Sequence, residues 1–310
     1  MTGADEAAAK MPRVSRPPAP AFAERERLGE LLALILVWIT ATVVLSSLAA
    51  PAVSALVDAL APGQFPFQRV LRRVAMLVAV ALLFALRRRI GLRGLANLGL
   101  ARSSATWRAC GNAALAGAAA IAALFASEHA LGRRLAAFDL GLGEALEALA
   151  GAAVIGLVEE ALCRGAWLYP FGRLAGWRFW LASAATSAVY ATAHFARGGG
   201  RPRAVDWTTG WEVWAQIGPA VGQHFEAWTG LAATGALFYS LAWRQGHLWG
   251  AVGLHAGAVF ALQIGGELGH PSAGGRSLFF VDGLQPGYPL AALALAAAVW
   301  IWWGGRKRAG

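Results

Sequence analysis

The chain has 310 residues, of which 57% are hydrophobic and only 14% charged, and its formal net charge is +10. Soluble domains carry roughly 25% charged residues, so the composition excludes an ordinary soluble enzyme and points to an integral membrane protein. The apolar runs are long and continuous rather than alternating, which favours a helix bundle over a β-barrel.

The basic residues sit between apolar runs instead of clustering on one soluble face. They therefore speak for membrane topology and anionic lipid headgroups, not for nucleic acid. The two cysteines, Cys110 and Cys163, both lie in apolar runs, with no disulfide framework and no zinc-ligand spacing. Abundant arginine and alanine suggest a GC-rich bacterial gene, and hence a multi-pass protein of the bacterial inner membrane.

Residues 1–28, rich in Ala, Pro, Arg and Glu without an apolar period, read as a disordered tail. Residues 29–310 read as one transmembrane helical domain. The first apolar run, Leu31–Ala50, has no charge and is long enough to span. A second span is expected at Val70–Leu86, a third at Arg108–Ala126 and a fourth at Glu144–Leu168. The loop Pro170–Gly176 turns the chain into a fifth span, Arg178–Phe195. After a glycine run at 198–200, Trp207, Trp211 and Trp214 fit an amphipathic segment lying in the membrane interface. Residues 198–223 read as a gate hinged on those glycines. Spans at Ala227–Trp243, His247–Ile264 and Tyr288–Trp303 complete an all-α, polytopic membrane bundle of about eight transmembrane helices. Eight spans place both termini on one side, and the Lys/Arg bias makes that side cytoplasmic.

The stretch Val154–Trp167 sets Glu159, Glu160 and Arg164 in an otherwise apolar run. Hydrocarbon solvates charge poorly, so such residues face a bundle interior and mark chemistry or transport. Glu160 and Arg164 are four residues apart and pair on one helix face. Glu159 is rotated about 100° away. It is expected to be buried without that partner, a candidate base. On antiparallel neighbours Glu159 and His194 fall roughly 20 and 24 Å from their connecting loop. His255 falls about 12 Å from the same side, a mismatch of about 10 Å. His255 lies among Gly250, Gly253 and Gly257, small residues that let helices approach closely.

Glu159-Glu160-Ala-Leu-Cys-Arg164, then Tyr190-Ala-Thr-Ala-His194, then Leu254-His255-Ala-Gly-Ala-Val259, resembles the CPBP family over about residues 145–265. These are intramembrane glutamic proteases related to CAAX-processing endopeptidases and bacteriocin-maturation proteins. The resemblance implies a catalytic set of Glu159, Glu160, Arg164, His194 and His255, with Glu159 as the base. The two histidines would hold the water and stabilise the oxyanion. No metal and no cofactor are implied, and the substrate would be a membrane-embedded or lipid-associated peptide or protein. Two positions depart from the family pattern. Tyr190 stands where Phe is usual, and Val259, which cannot donate a hydrogen bond, stands where Asn is usual. Gln263, one turn beyond Val259, is the candidate substitute donor.

Three other readings compete. A zinc hydrolase would need a ligand motif such as His-Glu-x-x-His, which is absent, and would set a cation beside Arg164. A cysteine protease on Cys163 would need a thiolate in an apolar run, where it is costly. A proton-coupled transporter or regulatory membrane protein would use the same ionisable groups as a relay.

Overall fold

The computed structural model describes residues 23–90, 92, 94–136, 140–166, 177–196, 205–272, 277–281 and 285–306. They fall into two units, Met1–Val37 and Trp38–Gly310. The first unit is described only from Ala23, as helix, and residues 1–22 of the expected tail lie outside the described residues. Helix begins at Ala23, within a run of strong helix formers, Ala23-Glu-Arg-Glu-Arg-Leu28.

The fold is all-α. The long helices are α1 (Ala23–Leu60), α2 (Phe67–Leu86), α3 (Ser104–Ala130), α4 (Leu142–Glu160) and α5 (Trp177–Ala193). Two short helices, α6 (Thr209–Ala215) and α7 (Ile217–Gln223), precede α8 (Phe225–Gln245), α9 (Trp249–Glu267) and α10 (Tyr288–Arg306). Two small antiparallel pairs lie outside the helices. β1 (Arg134–Ala136) pairs with β2 (Gly269–Pro271), and β3 (Phe280–Val281) pairs with β4 (Gln285–Pro286).

Each span expected from the sequence overlaps a helix, but the fourth, Glu144–Leu168, leaves α4 at Glu160 and its residues 167 and 168 lie outside the described residues. Among the described residues, two stretches are long and apolar enough to cross a membrane by length and composition, Ala33–Leu60 in α1 and Ser104–Ala130. The composition of α2 and α4 shows why these fall short. Arg69, Arg72 and Arg73 lie in the first third of α2, while Glu144, Glu147, Glu159 and Glu160 occupy the two ends of α4. The interfacial segment also differs from the reading above. It is no single helix carrying a tryptophan stripe, since Trp207 precedes α6 and the helix breaks at Gln216. Pro219 accounts for the break, because proline supplies no N–H to the preceding turn and its ring crowds that carbonyl. The loop 170–176 and the glycine run 198–200 lie outside the described residues, and so does the hinge of the expected gate.

Close approach of backbones organises the centre. Helices α3 and α9 run parallel, with Cys110 against Gly253, Ala114 against Gly257 and Phe125 against Gly265. A Cβ at Gly253 would meet the Cys110 carbonyl oxygen at 2.0 Å, and one at Gly257 would meet that of Ala114 at 1.9 Å. On the other side of α9, Gly156 of α4 lies against Val252 and Ala256. This is small-residue packing, which lets the backbones approach closely and dispersion act between them. At the far end of α3, the buried carboxylate of Glu128 accepts from the Leu278 N–H at 2.6 Å and the Ser277 hydroxyl at 2.8 Å. The Arg134 guanidinium donates to the Gly269 carbonyl, so the α9–α10 connection is pinned to the bundle.

Gly257→Ala should therefore lower stability by about 1–3 kcal/mol through overpacking. Gly218→Ala, where a Cβ meets nothing within 4 Å, should be neutral or stabilising. Thermal unfolding of the two purified variants in one detergent checks the contrast.

Candidate active site

The acidic motif ends α4 and continues as one π-helical turn, Ala161–Gly165, in which the Ala166 N–H bonds to the Ala161 carbonyl. Such single wide turns often occur where function requires a side chain to be re-aimed. The turn is seated by Gly165. A Cβ there would meet Leu248 Cδ1 and the Leu98 carbonyl oxygen, each at 3.0 Å. Leu248 directly precedes α9, and its N–H bonds to the Gly99 carbonyl at 2.8 Å. The start of α9 is thereby fixed against the end of α4.

Glu160 and Arg164 are both fully buried, and Arg164 Nη1 donates to Glu160 Oε1 at 2.8 Å. The pairing expected from the spacing is present. The same Oε1 also accepts from His255 Nδ1 at 2.9 Å. Beyond Glu160, the guanidinium stacks 4.3 Å from the Tyr190 ring centroid and 5.5 Å from that of Phe238. Those contacts compensate part of the desolvation of the charge. Space for the guanidinium comes from Gly235 of α8, where a Cβ would lie 3.0 Å from Arg164 Nη2 and 2.9 Å from Ser187 Cβ.

Glu159 was expected to be buried alone, and it is not. Its side chain is 21% exposed, and its Oε2 lies 3.8 Å from His194 Nε2 and 3.8 Å from His255 Nε2. The rotation of one residue along the helix sends Glu160 to Arg164 and Glu159 to the imidazoles. His194 sits just past α5, with Nδ1 2.8 Å from the Tyr190 carbonyl oxygen. Tyr190 meets both imidazoles edge-on, at 4.5 Å from His194 and 6.0 Å from His255, and Phe238 stacks on His255 at 4.9 Å.

All five residues singled out by sequence, Glu159, Glu160, Arg164, His194 and His255, are thus brought together. The depth mismatch expected for His255 is absent: α4 approaches α9 closely at Gly156, against Val252 and Ala256, and His255 Nδ1 reaches Glu160. Val259 is half-buried one turn after His255. Gln263 lies eight residues beyond His255, about 12 Å along the helix axis, too far to serve the same point. Sequence reasoning missed Phe238, Ser187 and Gly235. Phe238 and Gly235 sit on α8 and Ser187 on α5, in apolar runs with no charge near them to draw attention. Among the described residues, no three His, Cys, Asp or Glu side chains are grouped to hold a metal ion.

The chain is all-α, with two carboxylates and two imidazoles gathered at one site. Residues 141–261, less than half of the chain, match the family described as type II CAAX prenyl endopeptidase Rce1-like, a family of peptide hydrolases. The match starts beside the first residue of α4 and ends within α9, so it contains every site residue. No curated protein and no solved structure matches the chain.

Removing one member of a buried ion pair leaves the other charge without compensation, at a cost of about 3–5 kcal/mol. Glu160→Gln and Arg164→Leu should each cost stability on that scale, with the double variant recovering part of it. Thermal unfolding and yield of the three proteins are the measurements. Full stability of Glu160→Gln would contradict the assigned pairing.

Proposed function

We propose that the chain is a polytopic intramembrane endopeptidase. In this reading it needs no metal and uses Glu159 to activate water against a peptide bond of a membrane-associated peptide or protein. The observation that carries this reading is the placement of Glu159 Oε2 at 3.8 Å from both His194 Nε2 and His255 Nε2. Polar atoms at that separation are too far apart for a direct hydrogen bond and suit a bridging water.

The hydrogen bonds at the far nitrogens set the proton positions. A backbone carbonyl only accepts, so His194 Nδ1 carries the hydrogen toward Tyr190. Glu160, ionised beside Arg164, likewise takes the hydrogen of His255 Nδ1. Each neutral imidazole then presents a lone pair at Nε2. A water among Glu159 Oε2 and these lone pairs has its hydrogens accepted and its own lone pair directed outward, toward a carbonyl carbon. Glu159 takes one proton as the C–O bond forms. It returns that proton to the amine as the C–N bond breaks. Glu160 and Arg164 do not touch the reacting atoms in this scheme. They orient His255.

Membrane residence is part of the proposal. Eight long helices among the described residues occupy the positions expected for spans. Large apolar side chains face outward from several of them, including Leu36, Leu56, Leu77, Leu115 and Trp300. A lipid environment explains such surfaces where water does not. The interior position of the charged cluster agrees with the cost of placing charge against hydrocarbon. The description of the matched family makes a prenylated CAAX-type peptide the first substrate to try.

Glu159→Gln should keep its thermal stability, since the amide is near isosteric, while cleavage of such a peptide falls about 10²–10⁴-fold. Chelation with EDTA should leave wild-type turnover unchanged. Full turnover in Glu159→Gln would sink the assignment of the base. Loss of wild-type turnover in EDTA would replace it with a metal mechanism.

A further inference from the structure

Hydrolysis of a peptide bond develops negative charge on the carbonyl oxygen, and a donor must meet it. The hydrogen bonds described above leave this site short of one. Both imidazoles commit their Nδ1 hydrogens, His194 to the Tyr190 carbonyl and His255 to Glu160, so in neutral form neither donates through Nε2. Arg164 is fully buried and turned to Glu160. The position one turn after His255 is Val259, which has no polar atom.

We infer that the hydroxyl of Tyr190 is the hydrogen-bond donor to the oxyanion, and so a further catalytic residue of this site. The inference rests on the endopeptidase reading and adds to it the electrophilic half of the chemistry. Tyr190 is only 4% exposed, and its ring lies against both imidazoles, 4.5 Å from that of His194 and 6.0 Å from that of His255. Among the described residues its hydroxyl makes no hydrogen bond, so the donor is uncommitted. The Arg164 guanidinium lies 4.3 Å from the ring centroid, and a cation there favours charge building up on a group that the phenol holds. Packing alone does not call for the oxygen. Phenylalanine fills the same space without desolvating a polar group.

The hydroxyl donates to the oxygen as the tetrahedral centre forms and releases it as the carbonyl returns, with no net transfer of its proton. A donor aimed at developing charge acts on kcat, because the bond strengthens only in the transition state.

The test compares wild type, Tyr190→Phe and Glu159→Gln as purified full-length protein in detergent micelles. The substrate is a quenched-fluorescence prenylated CAAX-type peptide. Tyr190→Phe should lower kcat about 10²–10³-fold, leave KM within about twofold and leave thermal stability unchanged. Wild-type kcat in Tyr190→Phe, with Glu159→Gln inactive, overturns the inference while the endopeptidase reading stands. A rise in KM at unchanged kcat also overturns it, assigning Tyr190 to substrate binding. Equal signals from wild type and Glu159→Gln overturn the endopeptidase reading, and this inference falls with it.

Discussion

One carboxylate oxygen holds this site together. Glu160 Oε1 accepts from Arg164 Nη1 and from His255 Nδ1 in the same buried space. The first contact is local, four residues along one helix. The second ties helices whose residues are 95 positions apart in sequence. A charge buried to this degree is tolerable only when its partners are in place. The same requirement therefore that stabilises Glu160 also fixes the imidazole of His255. Orientation of that imidazole follows from the energetics of an ion pair.

Geometry around that oxygen depends on backbone rather than on side-chain volume. The π-helical turn Ala161–Gly165 changes the pitch where the chain leaves α4, and Gly165 admits the Leu98 and Leu248 segments beside it. Gly253 and Gly257 bring α9 onto α3, while Gly156 brings α4 onto α9. Helix α9 is thus held between two neighbours at distances that a methyl group would prevent. Gly235 does the same for Arg164 from α8. These glycines touch neither glutamate nor either imidazole, yet they decide how near the helices that carry them stand.

The division of labour between adjacent glutamates follows from helix rotation. Glu160 faces inward at 0% exposure, and Glu159 is 21% exposed toward His194 and His255. A partly exposed carboxylate facing two imidazoles suits proton transfer. A carboxylate locked to an arginine suits orientation. The two roles could not be exchanged without rotating the helix, so the order of the motif is a statement about which face meets which neighbour.

Much of this was legible in the chain. Composition and uninterrupted apolar runs determined an all-α bundle, because each helix satisfies its own backbone hydrogen bonds. The rarity of charge in such runs marked Glu159, Glu160, Arg164, His194 and His255, and spacing along a single helix gave the Glu160–Arg164 pair. Local patterns of this kind depend only on helical periodicity, which sequence carries directly. Tertiary structure alone decided that His255 reaches Glu160, that Glu159 has company, and that Ser187 of α5 with Gly235 and Phe238 of α8 enclose the arginine. It also decided that the tryptophan segment breaks before Pro219 instead of lying as one helix, although the proline itself was there to be read. Helix depth was misjudged for His255 because spans counted from loop boundaries assume upright, equally spaced helices. Interhelical distance and tilt are set by what packs between the backbones, and that depends on residues from several helices at once.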